Sequence, residues 1–80
     1  MKNTTNMNEI ININKQVWIP CIEKAIYEWI DFSKSIFCEK AEDRLSALER
    51  VNELMNFLYL VKSNTLTRRQ FEEYYYGFFW

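Results

Sequence analysis

Residues 61–71, which read VKSNTLTRRQF, carry the clearest secondary-structure signals in this chain. Asn64 tolerates the left-handed backbone conformation that ends many helices. A helix is therefore predicted to stop at about Lys62. The polar residues that follow predict a turn over residues 63–67, and this turn is the clearest break in the sequence.

The second half of the same stretch predicts the start of a new helix. Thr67 and Gln70 have the spacing of a capping box, in which each side chain binds the other residue's backbone N–H. Leu66 and Phe71 flank the cap at the spacing of a hydrophobic staple. A helix should therefore begin at Arg68.

Upstream of the turn, residues 43–62 show the spacing of an amphipathic helix. The apolar positions, three or four residues apart, are Leu45, Leu48, Val51, Leu54, Met55, Leu58 and Val61. Asp43, or Ser46 with Glu49, is expected to cap this helix. The turns from Phe57 onward are apolar on all sides, which predicts that more than one neighbour covers them.

A first helix is predicted from Pro20 to about Cys38, because proline suits the first turn of a helix, where its missing N–H costs nothing. The positions that recur every three or four residues are Ile22, Ala25, Ile26, Trp29, Ser33, Ile36 and Phe37. The polar residues 38–44 hold the expected break before the second helix. One continuous helix stays an alternative, because the apolar stripe keeps its phase through Ala41 and Leu45.

A third helix is predicted from Arg68 to about Tyr76, with Gly77 ending it. Residues 15–80 are therefore expected to form a single helical domain of the all-α class, a small three-helix bundle. No internal repeat occurs, and no heptad pattern is sustained long enough to specify a coiled coil.

Residues 1–14 are expected to form a flexible, Asn-rich N-terminal arm, since asparagine disfavours helix and chain ends are usually loose. Residues 11–14 alternate as a strand does, but a lone strand needs a partner to pair with. Docking of the arm through Ile10, Ile11 and Ile13 is the alternative.

The composition excludes several classes of protein. In 80 residues, 49% are hydrophobic and 18% aromatic, with one Gly and one Pro. Such a chain can bury a core but lacks the turn residues of a sandwich or barrel. Ten basic and eleven acidic residues leave a net charge of -1, which argues against a strongly basic nucleic-acid binder.

The sequence carries no sign of secretion or of a membrane span. Residues 1–6 contain one basic residue and no apolar stretch follows, so a secretory signal is not expected. The longest apolar run, residues 57–61, is far shorter than a transmembrane helix. Cys21 and Cys38 lack the pattern of a disulfide scaffold and are expected to be buried thiols. A cytoplasmic protein is predicted.

No constellation of residues predicts catalysis. The chain has no histidine, which removes the commonest general base and metal ligand. Glu39 with Asp43 and Glu49 with Glu53 share helix faces, but basic neighbours make these faces resemble a solvated surface. One glycine cannot form a phosphate-binding loop. The prediction is a protein that is not an enzyme, with no catalytic residue, metal or cofactor.

Arg68 and Arg69 break a local rule, because two cations stand in the first turn of a helix whose N-terminus is already partly positive. They are candidates for binding a phosphate or an acidic patch on a partner. The alternative is an ordinary surface on which they form ion pairs with Glu72 and Glu73.

The second helix, turn and third helix can also be read as a DNA-binding helix-turn-helix, with residues 66–71 opening the recognition helix. The segment of about a dozen residues that includes LTRRQF resembles the recognition segment of tetracycline-repressor-like regulators. The resemblance implies a dimeric transcription factor. Thr65 stands where those regulators usually have glycine and Val61 where a small residue is usual. Glu72 and Glu73 would repel phosphates.

The aromatic end of the sequence is the other candidate site. Six of the last seven residues are aromatic: Tyr74, Tyr75, Tyr76, Phe78, Phe79 and Trp80. Such rings either close a small core or form an exposed patch that anchors a partner.

The leading hypothesis is a non-enzymatic binding protein that acts on a larger protein as an inhibitor, adaptor or regulator. Its predicted anchors are the six aromatic residues, with Arg68 and Arg69 steering the encounter. The size and composition resemble those of accessory proteins of phages and plasmids, including antagonists of host defence. A surplus of aromatic residues also favours a homodimer or an obligate partner. The alternative function is the helix-turn-helix regulator.

Overall fold

A computed structural model describes residues 8–35 and 39–80 of the chain. It contains three α-helices: α1 (Lys15–Ser33), α2 (Ala41–Ser63) and α3 (Arg68–Tyr74). A π-helical turn, Tyr75–Phe79, continues α3. The predicted all-α, three-helix architecture is confirmed, and within the described residues the chain forms no β-strand.

α1 begins five residues before the predicted start. Asn14 caps it, since its side-chain oxygen accepts a hydrogen bond from the backbone N–H of Gln16 at 3.0 Å. Pro20 lies inside the helix instead of opening it, so the prediction from proline was wrong. A proline there leaves the carbonyl of Gln16 without its helical hydrogen bond. The packing of α1 against the core outweighs that local cost.

α1 ends at Ser33, before the predicted end at Cys38. The hydroxyls of Ser33 and Ser35 donate to the carbonyls of Ile30 and Phe32 at 2.6 and 2.8 Å. Such bonds compete with continuation of a helix. The predicted separation of the first two helices is confirmed. Ile36, Phe37 and Cys38 lie outside the described residues, whereas Cys21 is exposed and not the buried thiol that was expected.

α2 has the predicted end but not the predicted cap. Its N-cap is Lys40, which makes no side-chain capping bond, so neither Asp43 nor Ser46 caps the helix. Glu42 and Asp43 instead lie in the first turn, where negative charge interacts favourably with the helix dipole. At the other end Asn64 adopts the predicted left-handed conformation, with φ of 61°.

The core lies between α1 and α2 and is closed by the turn. Its buried members are Ile22, Ile26, Val51, Leu54, Phe57, Val61 and Leu66. The two helices are antiparallel, because Lys15 contacts the Lys62 carbonyl and Trp29 contacts Arg50 at the opposite ends.

The stripe predicted for α2 is partly wrong. Leu45, Leu48 and Met55 are exposed, while Ala47 and Phe57 are buried. Apolar residues occupy so much of this helix that more than one stripe can be drawn along it, and the packing of α1 and α3 selects which one is covered.

The second half of the expected flexible arm is docked. The N–H of Ile11 donates to the Leu66 carbonyl, and the N–H of Arg68 donates to the Glu9 carbonyl, each at 2.9 Å. This antiparallel bridge holds the segment against the turn, and Ile11 and Ile13 pack on the core. The burial of these isoleucines explains the difference from a free arm. Residues 1–7 lie outside the described part of the chain.

Candidate partner-binding surface

The capping box predicted at the start of α3 is confirmed. The Thr67 hydroxyl accepts from the Gln70 N–H at 3.2 Å, and the Gln70 side-chain oxygen accepts from the Thr67 N–H at 3.0 Å. Phe71 packs against the core, and Leu66 lies within it, in agreement with the predicted staple. The first turn of α3 is therefore held by hydrogen bonds and by apolar contacts.

The two arginines of this turn have different surroundings. Arg69 is exposed, whereas Arg68 is partly buried and its Nε has no hydrogen-bond partner among the described residues. The alternative, ion pairs with Glu72 and Glu73, is not observed within that part of the chain, whose ion pairs include Arg50–Glu53 and Lys62–Glu23. Arg68 and Arg69 thus do not form one uniform basic patch.

Half of the aromatic end packs into the protein. Tyr74 stacks on Phe57 with ring centroids 4.6 Å apart, and its hydroxyl accepts a hydrogen bond from Asn56 at 2.6 Å. Phe79 meets Trp18 edge-on at 5.4 Å and also contacts Phe57. Tyr74 and Phe79 therefore close the core, as expected from the large apolar area of such rings.

Phe78 takes part in a second, smaller contact, with the side chain of Arg50. The guanidinium of Arg50 lies 5.0 Å from its ring centroid and 6.0 Å from that of Trp29. Arg50 also forms an ion pair with Glu53 at 3.7 Å. This cation–π arrangement joins α1, α2 and the π-helical turn. No pattern in the sequence predicts this contact, because its residues lie far apart in the chain.

Two rings of the aromatic end, Tyr76 and Trp80, face outward. Tyr76 is 61% exposed and Trp80 is 84% exposed, and their ring centroids lie 5.4 Å apart. Tyr75 lies between them and the core, since it contacts both rings as well as Phe71 and Trp18. The exposed rings thus rest on a base of packed aromatic residues.

Along α3 and the π-helical turn, the exposed positions form one stripe. We call this the α3 stripe: Arg69, Glu73, Tyr76, Gly77 and Trp80. It combines one cation, one carboxylate and two large aromatic rings. Beside it runs a shallow open groove between α2 and the π-helical turn, lined by Arg50, Glu53, Glu73, Tyr74, Gly77 and Phe78.

Of the eight residues predicted to bind a partner, the structure brings Arg69, Tyr76 and Trp80 onto this stripe. Tyr75 contacts the rings of Tyr76 and Trp80 on the side that faces the core. Arg68 is partly buried, and Tyr74, Phe78 and Phe79 pack against the core.

Within residues 8–35 and 39–80, no three acidic or cysteine side chains cluster in a way that could hold a metal ion. None of the helices in the same residues is both long and apolar enough to span a bilayer. No family model, curated protein or solved structure matches this chain.

Proposed function

We propose that this chain is a non-enzymatic binding protein whose α3 stripe docks on a larger protein. The observation that carries the proposal is the exposed pair Tyr76 and Trp80, held on a base of packed aromatic rings. Tyrosine and tryptophan are the residue types that most often dominate protein interfaces. Two rings held in place lose little conformational entropy on binding, which favours affinity.

Arg69 and Glu73 give the stripe its polar rim. Exposed charges beside an apolar anchor contribute more to encounter rate and specificity than to affinity. A partner that fits this surface has an apolar pocket for the two rings and charges of both signs around it. Occupying such a pocket is how an inhibitor, adaptor or regulator acts on a larger assembly. A small antagonist of a host defence system would act in this way.

The helix-turn-helix alternative has less support in the geometry. The Gln70 amide oxygen is engaged in the capping box, and Arg68 is partly buried. Glu72 and Glu73 follow the two arginines on a helix that would face phosphates. Arg69 alone among the expected DNA-reading side chains is both basic and exposed.

The test is a pull-down with the tagged full chain from lysate of the native host, with and without nuclease. A stoichiometric protein that survives nuclease treatment is expected. The double variant Tyr76→Ala, Trp80→Ala should weaken its binding at least about 30-fold, the effect of losing an interface hot spot of about 2 kcal/mol.

Tyr27→Ala is the matched control, because Tyr27 is an equally exposed aromatic residue on α1. It should leave binding unchanged. Partners retained by the double variant would contradict the proposed surface. Recovery of nucleic acid that is lost on Arg69→Ala would favour the DNA-binding alternative.

A further inference from the structure

One side of α2 carries large side chains that the rest of the described protein leaves about half exposed or more. Leu45, Leu48, Met55 and Tyr59 are 62%, 47%, 55% and 66% exposed, and Asn52 between them is also exposed. We call these five residues the α2 seam. Their spacing of three, four, three and four residues is that of the a and d positions of a coiled coil.

The seam is separate from the core-facing side of α2. When Leu45 is taken as position a, the buried residues of α2 fall at other positions: Ala47, Leu54 and Val61 at c, Val51 at g and Phe57 at f. The seam therefore lies beside the core stripe on the helix surface. α2 has one apolar side for its own domain and a second side available to another molecule.

We propose that the α2 seam binds a second copy of this chain, with the two α2 helices parallel and in register. Asn52 indicates the occupant. It stands at the central a position, where an asparagine in a parallel dimer faces its own copy and the two amides can pair. In the antiparallel arrangement the same amide would face Leu48 or Met55 and lose that partner.

The charges beside the seam fit the same arrangement. Arg44 is at position g and Glu49 at position e of the following heptad, and both are exposed. In a parallel two-stranded coil, g of one helix lies next to the following e of the other. The parallel arrangement therefore places Arg44 of one copy beside Glu49 of the other, on each side of the seam. An antiparallel pair matches g with g and e with e, so it lacks both.

The seam is short, about 21 Å at 1.5 Å per residue. An isolated peptide of that length would not hold a stable helix. Here α2 is already ordered by its packing on α1, so association does not have to form the helix. This difference explains why a pattern too short to specify a coiled coil from sequence can still act as an interface. It also predicts a moderate affinity, with Kd in the micromolar range, about 1–100 µM.

Sedimentation of the full chain tests the interface. The protein should be a reversible dimer. Leu48→Glu or Met55→Glu should raise the Kd of the dimer at least about 100-fold, since the charge would be buried against its own copy. Val17→Glu is the matched control, because Val17 is an exposed apolar residue of α1 outside the seam. A chain that is monomeric at about 200 µM, or a dimer insensitive to Leu48→Glu, overturns the proposal.

A cross-linking experiment tests the orientation of the two α2 helices in the dimer. In a chain with Cys21→Ser and Cys38→Ser, Leu45→Cys should form an intermolecular disulfide on mild oxidation, because position 45 faces its own copy in register. Ser46→Cys, one position around the helix, should not. If Leu45→Cys fails to cross-link while the protein is dimeric, the parallel register is wrong.

Asn52→Ile supplies a third readout. An apolar residue at a central a position strengthens a coiled coil but relaxes its register and oligomer state. We expect dimer affinity to rise about 10-fold and the Leu45→Cys cross-link to become less complete. Unchanged affinity would place Asn52 outside the interface. Tyr76→Ala, Trp80→Ala should dimerise normally, which separates this surface from the α3 stripe.

Discussion

At the scale of single residues, Phe79 and Trp80 are neighbours in the sequence with opposite surroundings. Phe79 packs on Trp18 and Phe57, whereas Trp80 is the most exposed of the large apolar residues described. The sequence presents both as equivalent members of an aromatic run. Their roles should therefore separate cleanly in measurements of stability.

Phe79→Ala is expected to lower the free energy of unfolding by about 2 kcal/mol, since it removes a partly buried ring from the aromatic cluster. Trp80→Ala should change it by less than about 0.5 kcal/mol. Urea unfolding followed by circular dichroism measures both. Equal losses for the two variants would show that Trp80 belongs to the core and would remove the basis of the proposed anchor pair.

At the scale of elements, the end of α3 shows how a local rule can mislead. Gly77 is predicted to stop the helix, but it lies inside the π-helical turn Tyr75–Phe79 without a positive φ. The turn is stabilised by Phe78 and Phe79, which pack against the body of the protein. Tertiary contacts therefore carry the chain past a residue that commonly ends helices.

Gly77→Ala is expected to stabilise the protein by about 0.5–1 kcal/mol. The backbone there is helical, nothing lies within 4 Å of the position a Cβ would occupy, and alanine restricts the unfolded chain more than glycine does. Thermal and urea unfolding measure the change. Destabilisation would mean that Gly77 ends the helix as the sequence alone suggests.

At the scale of the whole molecule, the docked segment ties the beginning of the described chain to the start of α3. Its backbone hydrogen bonds reach Leu66 and Arg68, and its apolar side chains reach the core. The segment thus helps to hold in place the helix that presents the α3 stripe.

Replacing both Ile11 and Ile13 by alanine should lower the free energy of unfolding by about 1–3 kcal/mol, because both side chains are partly buried. Ile10→Ala is the internal control, since Ile10 is 56% exposed and should change stability little. The comparison is made by chemical unfolding. A free arm would instead leave the free energy of unfolding unchanged in both variants.

Features that depend on neighbours in the chain can be predicted from the amino-acid sequence alone. The left-handed Asn64, the capping box of Thr67 and Gln70, and the helical period of α2 are local, because their hydrogen bonds and spacings lie within a few residues. They were enough to predict the second and third helices and the turn between them.

Which apolar side chains are covered depends on the tertiary packing of the helices. In a chain that is 49% hydrophobic, the apolar stripe along a helix is too wide to identify which face of that helix is buried. Ala47 is buried while its neighbour Leu48 is exposed, and Phe79 packs on Trp18 and Phe57 while its neighbour Trp80 is exposed. Burial depends on what lies opposite a residue in space, and a local pattern carries no information about that.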